Sequence, residues 1–344
     1  MRPDVSVLLP CHNAAATLRE TISSLEAQTL PDFETIAVDD ASTDETRLIL
    51  EAWAARSPRV RVLRGPGKGI VPALQQAFSQ ARGVLLARMD ADDIAAPGRL
   101  AMQVRLLDRE PALAGCGVHV ELFPADGVGS GYRRYEAWLN AVDSVEDVNR
   151  NALIECPIAH PTLVLRRSVM LAVGGYRDMG WPEDYDLVLR ILAAGGRLAN
   201  VPGAPLLQWR VRPDRLSLVS TAYSPEAFRR CKVHFLRESF LPGARPLVLW
   251  GAGRVGKPLA RELIRQGIDV TGFVDLDPRK IGQTIHGAPV WSPSEFASRT
   301  SNVERPASRP YVLAAVGSPG AREGIRDALV DLGLKELCDF RFCA

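Results

Sequence analysis

The sequence predicts an α/β protein in two parts, a larger one built on a mostly parallel sheet and a smaller α/β domain after it. Three observations lead there. Short apolar runs alternate with stretches of helical spacing from Val5 to Arg109. Several of those runs stop abruptly in polar or acidic residues. The last third of the chain repeats the alternation around a Gly-x-Gly-x-x-Gly turn.

Residues 5–9 read as a buried strand and 17–28, with Leu18, Ile22 and Leu25 on one face, as the helix after it. A second strand, 33–38, ends in Asp39 and Asp40, and Ser42 to Glu45 has the Ser-x-x-Glu form of a capping box that opens a helix to about Ala55. Strand 60–63, helix 72–81 and strand 84–89 follow. The loop Gly65-Pro66-Gly67-Lys68-Gly69 is not a Walker pattern and reads as flexible, with Lys68 able to reach a phosphate. Strand 84–89 runs into Asp90, Asp92 and Asp93, carboxylates that repel one another unless a cation sits among them and whose hard oxygens suit Mg²⁺ or Mn²⁺. A solvated turn or a helix start is the alternative for those residues taken alone. In an open parallel sheet ligands bind beyond the carboxyl ends of the strands, so residues 10–13, Asp39 with Asp40, and the 90–93 run converge on one edge.

A helix over 97–109, a strand over 113–123 and an irregular insert over 126–151, suited to an acceptor loop, come next. His160 leads into a strand over 163–166, and Glu183 and Asp184 start a helix behind Trp181 and Pro182.

The totals exclude several classes. Lys plus Arg is 42 against 40 for Asp plus Glu, a net charge of +2, which gives no footprint for nucleic acid. The six cysteines include no CxxC pair, so neither zinc nor a disulfide framework is suggested, and a reducing compartment fits. No run approaches the ~20 apolar residues of a membrane span. A cytoplasmic location is expected, with peripheral contact at the inner face of the membrane left open. The segment 227–240, carrying Arg229, Arg230, Lys232 and Arg237, reads as a linking helix or as a basic amphipathic helix on an anionic surface.

With these pieces in place, the first 216 residues resemble the family 2 glycosyltransferases. The resemblance rests on Val5-Ser6-Val7-Leu8-Leu9-Pro10 with Asn13, Val38-Asp39-Asp40-Ala41-Ser42-Thr43-Asp44, and Met89-Asp90-Ala91-Asp92-Asp93. It continues in Ile158-Ala159-His160-Pro161-Thr162, Gly174-Gly175-Tyr176 and Glu183-Asp184-Tyr185-Asp186-Leu187. It implies the GT-A fold and inverting transfer of a sugar from a nucleotide-diphosphate donor, UDP in the first instance, to a hydroxyl of a glycan or lipid-linked acceptor. By the same resemblance Asp40 meets the base, Pro10 and Asn13 line the nucleotide pocket, Asp90 faces the ribose, Asp92 holds the metal and Asp184 is the general base. His160 and Glu183 join the substrate-binding candidates. The family's Arg-x-His-Pro element reads Arg210-Val211-Arg212-Pro213, so Arg212, which cannot ligate a metal, is a phosphate-binding candidate. The Asn that family members often carry after the glycine loop is also missing, with Gln75 and Gln76 in that region. A nucleotide-sugar-binding or scaffolding protein with a degenerate transferase domain is the alternative.

Residues 217–246 read as a linker carrying the basic helix, and 247–344 as a Rossmann-like domain. There Gly251, Gly253 and Gly256 lie between a strand and a helix, and Asp275 ends the next strand where a ribose contact is expected. The length gives room for one mononucleotide-binding half, so NAD is not expected. The stretch resembles the small Rossmann-like domains attached to sugar-modifying enzymes, which implies a nucleotide or nucleotide-sugar ligand as one of two readings. A structural or dimerising role, giving a homodimer, is left open.

Overall fold

The computed structural model describes residues 3–243, 245–301, 303, 309–318 and 320–344. They form two compact units, one of residues up to Val148 with Pro157–Ser220, the other of Asn149–Cys156 with Thr221–Ala344.

The strands of the first unit are β1 (Val5–Cys11), β2 (Phe33–Asp39), β3 (Val60–Arg64), β4 (Leu85–Arg88), β5 (Ile94–Ala95), β6 (Leu113–Val118), β7 (Val120–Phe123), β8 (Val164–Arg166), β9 (Arg197–Val201) and β10 (Leu207–Arg210). Its main sheet has the order β3-β2-β1-β4-β8-β6-β9, with β3, β2, β1 and β4 parallel and β8 antiparallel to both neighbours. All seven residues of β2 are buried, as a parallel strand covered on both faces requires. The helices are α1 (Leu18–Glu26), α2 (Thr46–Arg56), α3 (Ile70–Gln80), α4 (Arg99–Arg109), α5 (Ser130–Leu139), α6 (Val145–Asn151, reaching into the second unit), α7 (Arg167–Ala172), α8 (Glu183–Ala193) and α9 (Leu216–Val219). The core gathers Leu9, Leu18, Leu50, Trp53 and Ala87.

A second sheet, β5-β10-β7, carries the chain from Arg210 back across the end of β4, because β10 pairs antiparallel with β5 just after the acidic run. The expected single strand over 113–123 is therefore two. His119 separates them, held by the Gly203 carbonyl and the Asp143 carboxylate, and β7 leaves the main sheet for the small one.

The capping box does not form. Ser42 Oγ accepts the Asn13 N–H instead, and α2 begins at Thr46, whose N–H goes to Asp44 Oδ1. The expected irregular insert contains α5 and α6, because Tyr135, Trp138 and Leu139 fall at helical spacing and pack on the core.

The second unit holds α10 (Pro225–Phe235), α11 (Gly256–Arg265), α12 (Pro293–Ser301) and α13 (Ala321–Asp331), with β11 (Leu247–Trp250), β12 (Val270–Val274), β13 (Thr284–Ile285), β14 (Ala288–Trp291), β15 (Tyr311–Ala314) and β16 (Phe340–Phe342). The sheet order is β13-β14-β12-β11-β15-β16, and all pairs but β13–β14 are parallel. Strands thus lie on both sides of β11, where the sequence suggested room for a single half. Short strands of two to five residues make this possible within the available length.

Helix α10 belongs to this unit and is capped by Ser224, whose Oγ accepts the Ala227 N–H. Its Cys231, Val233 and Phe235 are buried, as is the following Leu236. Lys232 Nζ donates to the carbonyls of Ile154 and Cys343. An amphipathic helix on lipid needs a free apolar face and snorkelling cations, and here that face and one of the cations are already inside the protein. No helix among the described residues is long and apolar enough to cross a membrane.

Candidate active site

The end of β4 is shaped by two buried arginines. Arg88, 2% exposed, places Nη2 2.5 Å from Asp90 Oδ1 and donates through Nη1 to the Met89 carbonyl. Arg99, 1% exposed, donates Nη2 to the carbonyls of Arg88 (2.7 Å) and Pro161 (2.6 Å), and Nε to Gln103 Oε1. Burial lowers the Arg99 pKa to about 10, still charged near neutrality. One guanidinium thus fastens the strand end to the turn that carries His160.

Beyond it Asp90, Asp92 and Asp93 each offer an oxygen within 4.8 Å of the others. Asp92 lies 3.2 Å from Arg212 Nε. Asp93 is fully buried: one oxygen accepts the Arg210 N–H at 2.8 Å and the other has no partner. Burial, then the charge on Asp90, raises the pKa of both Asp92 and Asp93. Crowded hard carboxylate oxygens, one of them orphaned, fit Mg²⁺ or Mn²⁺.

On the neighbouring strand ends the loops are tied together. Asp40, 5% exposed, accepts the N–H of Gly67 at 2.7 Å and of Gly69 at 2.8 Å, and its own N–H goes to the Cys11 carbonyl. Those glycines sit at φ +67° and +93°, which explains their place in the loop, and their N–H groups are held by Asp40. Asn13, itself at φ +48°, accepts the Thr43 N–H with its side chain. Asp40 and Asn13 therefore hold their own loops, next to the half-buried Pro10. Each Asp40 oxygen keeps a second lone pair, which a base N–H can use.

On the other side, His160 Nε2 is 3.0 Å from the Tyr176 hydroxyl, and Nδ1 is 3.5 Å from Glu183 Oε1. Burial and then the Arg88 charge hold the His160 pKa well below 6.5, so its ring is neutral near pH 7. Burial pushes the Tyr176 hydroxyl up, and the charges of Arg88, Glu183, Asp184 and Asp90 all act on it. Gln75 Nε2 donates to the Tyr176 carbonyl, tying α3 to the 174–176 turn. Asp184 stands in the first turn of α8, half-buried, with Oδ1 accepting the Tyr185 N–H at 2.7 Å. Asp186 is structural, bound to Trp181 Nε1 and Arg190 Nε.

The sequence reading assigns no role to Arg88, Arg99 or Tyr176. A cation inside an otherwise apolar strand, immediately before an acidic run, was the available signal for Arg88. Arg99 and Tyr176 gain their meaning only from partners many residues away.

In the second unit Gly251 has φ +116°, and a Cβ on Gly256 would stand 1.7 Å from the Gly251 carbonyl oxygen, so both positions require glycine. Asp275 accepts the N–H of Ala252 (2.8 Å) and Asp277 (2.9 Å) and the Lys280 ammonium (3.0 Å). Against the effect of burial, these donors hold its carboxyl below the usual range.

A family model described as Glycosyl transferase family 2 matches residues 6–172. EpsE of Bacillus subtilis, named as a glycosyltransferase, is 31% identical over 258 residues, covering 72% of this chain and 88% of its own. Among solved structures, Staphylococcus aureus TarS 1-349 in complex with UDP-GlcNAc superposes with a TM-score of 0.54 at 18% identity, covering 76% of this chain and 72% of that one. The chain spans 41% of the longer TarS structure. The mannosyltransferase PcManGT of Pyrobaculum calidifontis, in complex with GDP-Man and Mn²⁺, gives 0.50 at 22% identity over 69% of this chain and 62% of its own. At such identities the two structures show a shared GT-A fold.

Proposed function

This chain belongs to glycosyltransferase family 2, and on that premise we propose that it is an inverting enzyme moving a sugar from a UDP-sugar to a hydroxyl of a glycan or lipid-linked acceptor in polysaccharide assembly. The carrying observation is the 90–93 cluster at the end of β4, whose three carboxylates place oxygens within 4.8 Å of one another with the Arg212 guanidinium 3.2 Å from Asp92. A metal-dependent transfer to an alcohol needs such a cluster and a separate base, for which Asp184 is the candidate. The UDP-GlcNAc complex of TarS and the GDP-Man and Mn²⁺ complex of PcManGT support a nucleotide-sugar donor and a divalent ion.

Asp92, with Asp90 and Asp93 beside it, would hold Mg²⁺ or Mn²⁺, which stabilises negative charge on a departing diphosphate. Asp40 meets the base edge with its free lone pairs, and Pro10 and Asn13 wall that side. Asp90, fixed by Arg88, faces the ribose. Arg212, a donor-only guanidinium already at the cluster, pairs with phosphate oxygens. An acceptor hydroxyl is a poor nucleophile near neutral pH, and Asp184 takes its proton as it attacks the anomeric carbon from the face opposite the diphosphate. His160, against the Tyr176 hydroxyl, and Glu183, 3.5 Å from the other ring nitrogen of His160, are buried and act on the site through that chain of contacts.

UDP release from UDP-sugars with Mn²⁺ and an acceptor panel tests this. Asp184→Asn should lower kcat by about 10²–10⁴-fold with an unchanged melting curve. Normal turnover by that variant would remove Asp184 from the base role.

A further inference from the structure

The second unit contains a cavity of about 980 Å³, at the upper end of the range for ligand sites, that the transferase chemistry does not use. It opens beyond the carboxyl ends of β11 and β15, where the strand order reverses, the place at which open parallel sheets bind their ligands. Its near wall is the 251–256 turn with Asp275, Lys280 and Arg254. A Cβ built on Gly253 would meet just one atom within 4 Å, the Lys280 Nζ at 3.9 Å, so the ammonium stands over an open glycine turn. The same ammonium is 3.0 Å from Asp275 Oδ2, while Oδ1 accepts a single backbone N–H and keeps a lone pair. The far wall, Val316, Gly317, Ser318, Ala321, Ile325 and Ala328, offers no titratable group.

Cations over a glycine turn select a multiply charged phosphate group, and a carboxylate with a spare lone pair beside them accepts from a sugar diol. A wall without acid or base binds but does not move protons, which disfavours hydride transfer to a second substrate. We propose that this cavity is a second nucleotide site, taking a nucleoside diphosphate moiety with its phosphates at Gly253, Lys280 and Arg254 and its ribose hydroxyls at Asp275. The inference stands on the second unit alone and does not rest on the transferase reading.

Calorimetry on the full chain in EDTA separates the two sites, because without a divalent ion the 90–93 carboxylates repel a diphosphate. UDP, GDP, ADP, UDP-GlcNAc and NAD are the probes. At least one nucleoside diphosphate, free or as its sugar ester, should bind at one equivalent per chain. Lys280→Glu should weaken it at least about tenfold by reversing a charge at the phosphates. Gly253→Val, a position where the fold tolerates a Cβ, should do the same. Absence of binding in EDTA, binding indifferent to both variants, or NAD binding more tightly than every nucleoside diphosphate would each overturn the proposal. Binding in EDTA alongside a failed transfer assay would leave it standing and sink the transferase reading instead; transfer without EDTA binding does the reverse.

Discussion

At the end of β4 three aspartates crowd their oxygens within 4.8 Å, whereas at the end of β12 Asp275 stands with two backbone N–H groups and a lysine around one carboxylate. The first group is under-neutralised: Asp92 and Asp93 are raised by burial and by Asp90, and one Asp93 oxygen has no partner. The second is satisfied, and its donors outweigh burial. Acid at a strand end therefore means two different things. One arrangement is short of a cation; the other has its cation built in. The donors around each acid, not the acid itself, distinguish the sites.

The comparison breaks most visibly at Asp92. Asp92→Ala should weaken Mn²⁺ binding, read by calorimetry, and reduce transfer by on the order of 10³-fold, the several kcal/mol a metal supplies to a leaving group. A variant with native Mn²⁺ affinity would show that the cluster is not the metal site. Arg99→Lys comes next: it removes the fork that holds the carbonyls of Arg88 and Pro161, and leaving them unsatisfied should cost about 3 kcal/mol in denaturant unfolding.

A smaller and sharper test lies in sign. Ionised Asp93 has a raised pKa, so its charge opposes folding above the ordinary carboxylate range, and Asp93→Asn should raise the melting temperature of metal-free protein by about 2–4 °C if roughly 1 kcal/mol is relieved. Asp275, with its pKa lowered, should respond to Asp275→Asn with a decrease. Changes of the same sign would dissolve the distinction between the two strand ends. The smallest effect is at His160, whose folded pKa lies well below 6.5. The unfolded chain then takes up a proton that the folded one refuses, so stability is full above pH 6.5 and falls as the pH drops below it. His160→Gln should flatten the change in melting temperature between about pH 7 and pH 5.

Much of this architecture was legible because buried parallel strands leave continuous apolar runs, and β1, β2, β3 and β4 all lie within a residue or two of their expected bounds. The GT-A fold and the glycosyltransferase family were readable from motif order. The partition of 113–123 was not, since β7 departs to a sheet whose other strands lie far along the chain. Nor was the fate of Ser42, where a local capping pattern lost to a partner from another loop, Asn13. Arg99 was illegible for the same reason, and Arg88 showed only as a cation in an apolar strand before an acidic run: burying a guanidinium depends on carbonyls and carboxylates assembled by the fold, about which local propensity says nothing.

The glycine loop over 65–69 has a consequence for redesign. Its N–H groups at Gly67 and Gly69 clamp Asp40, and a Cβ on Gly65 would stand 2.7 Å from an Asp40 oxygen. Varying position 40 alone, to test its proposed role at the donor's base, would also strip Gly67 and Gly69 of the acceptor for their N–H groups. Positions 40, 65, 67 and 69 form one inheritable module, to be randomised or grafted as a set.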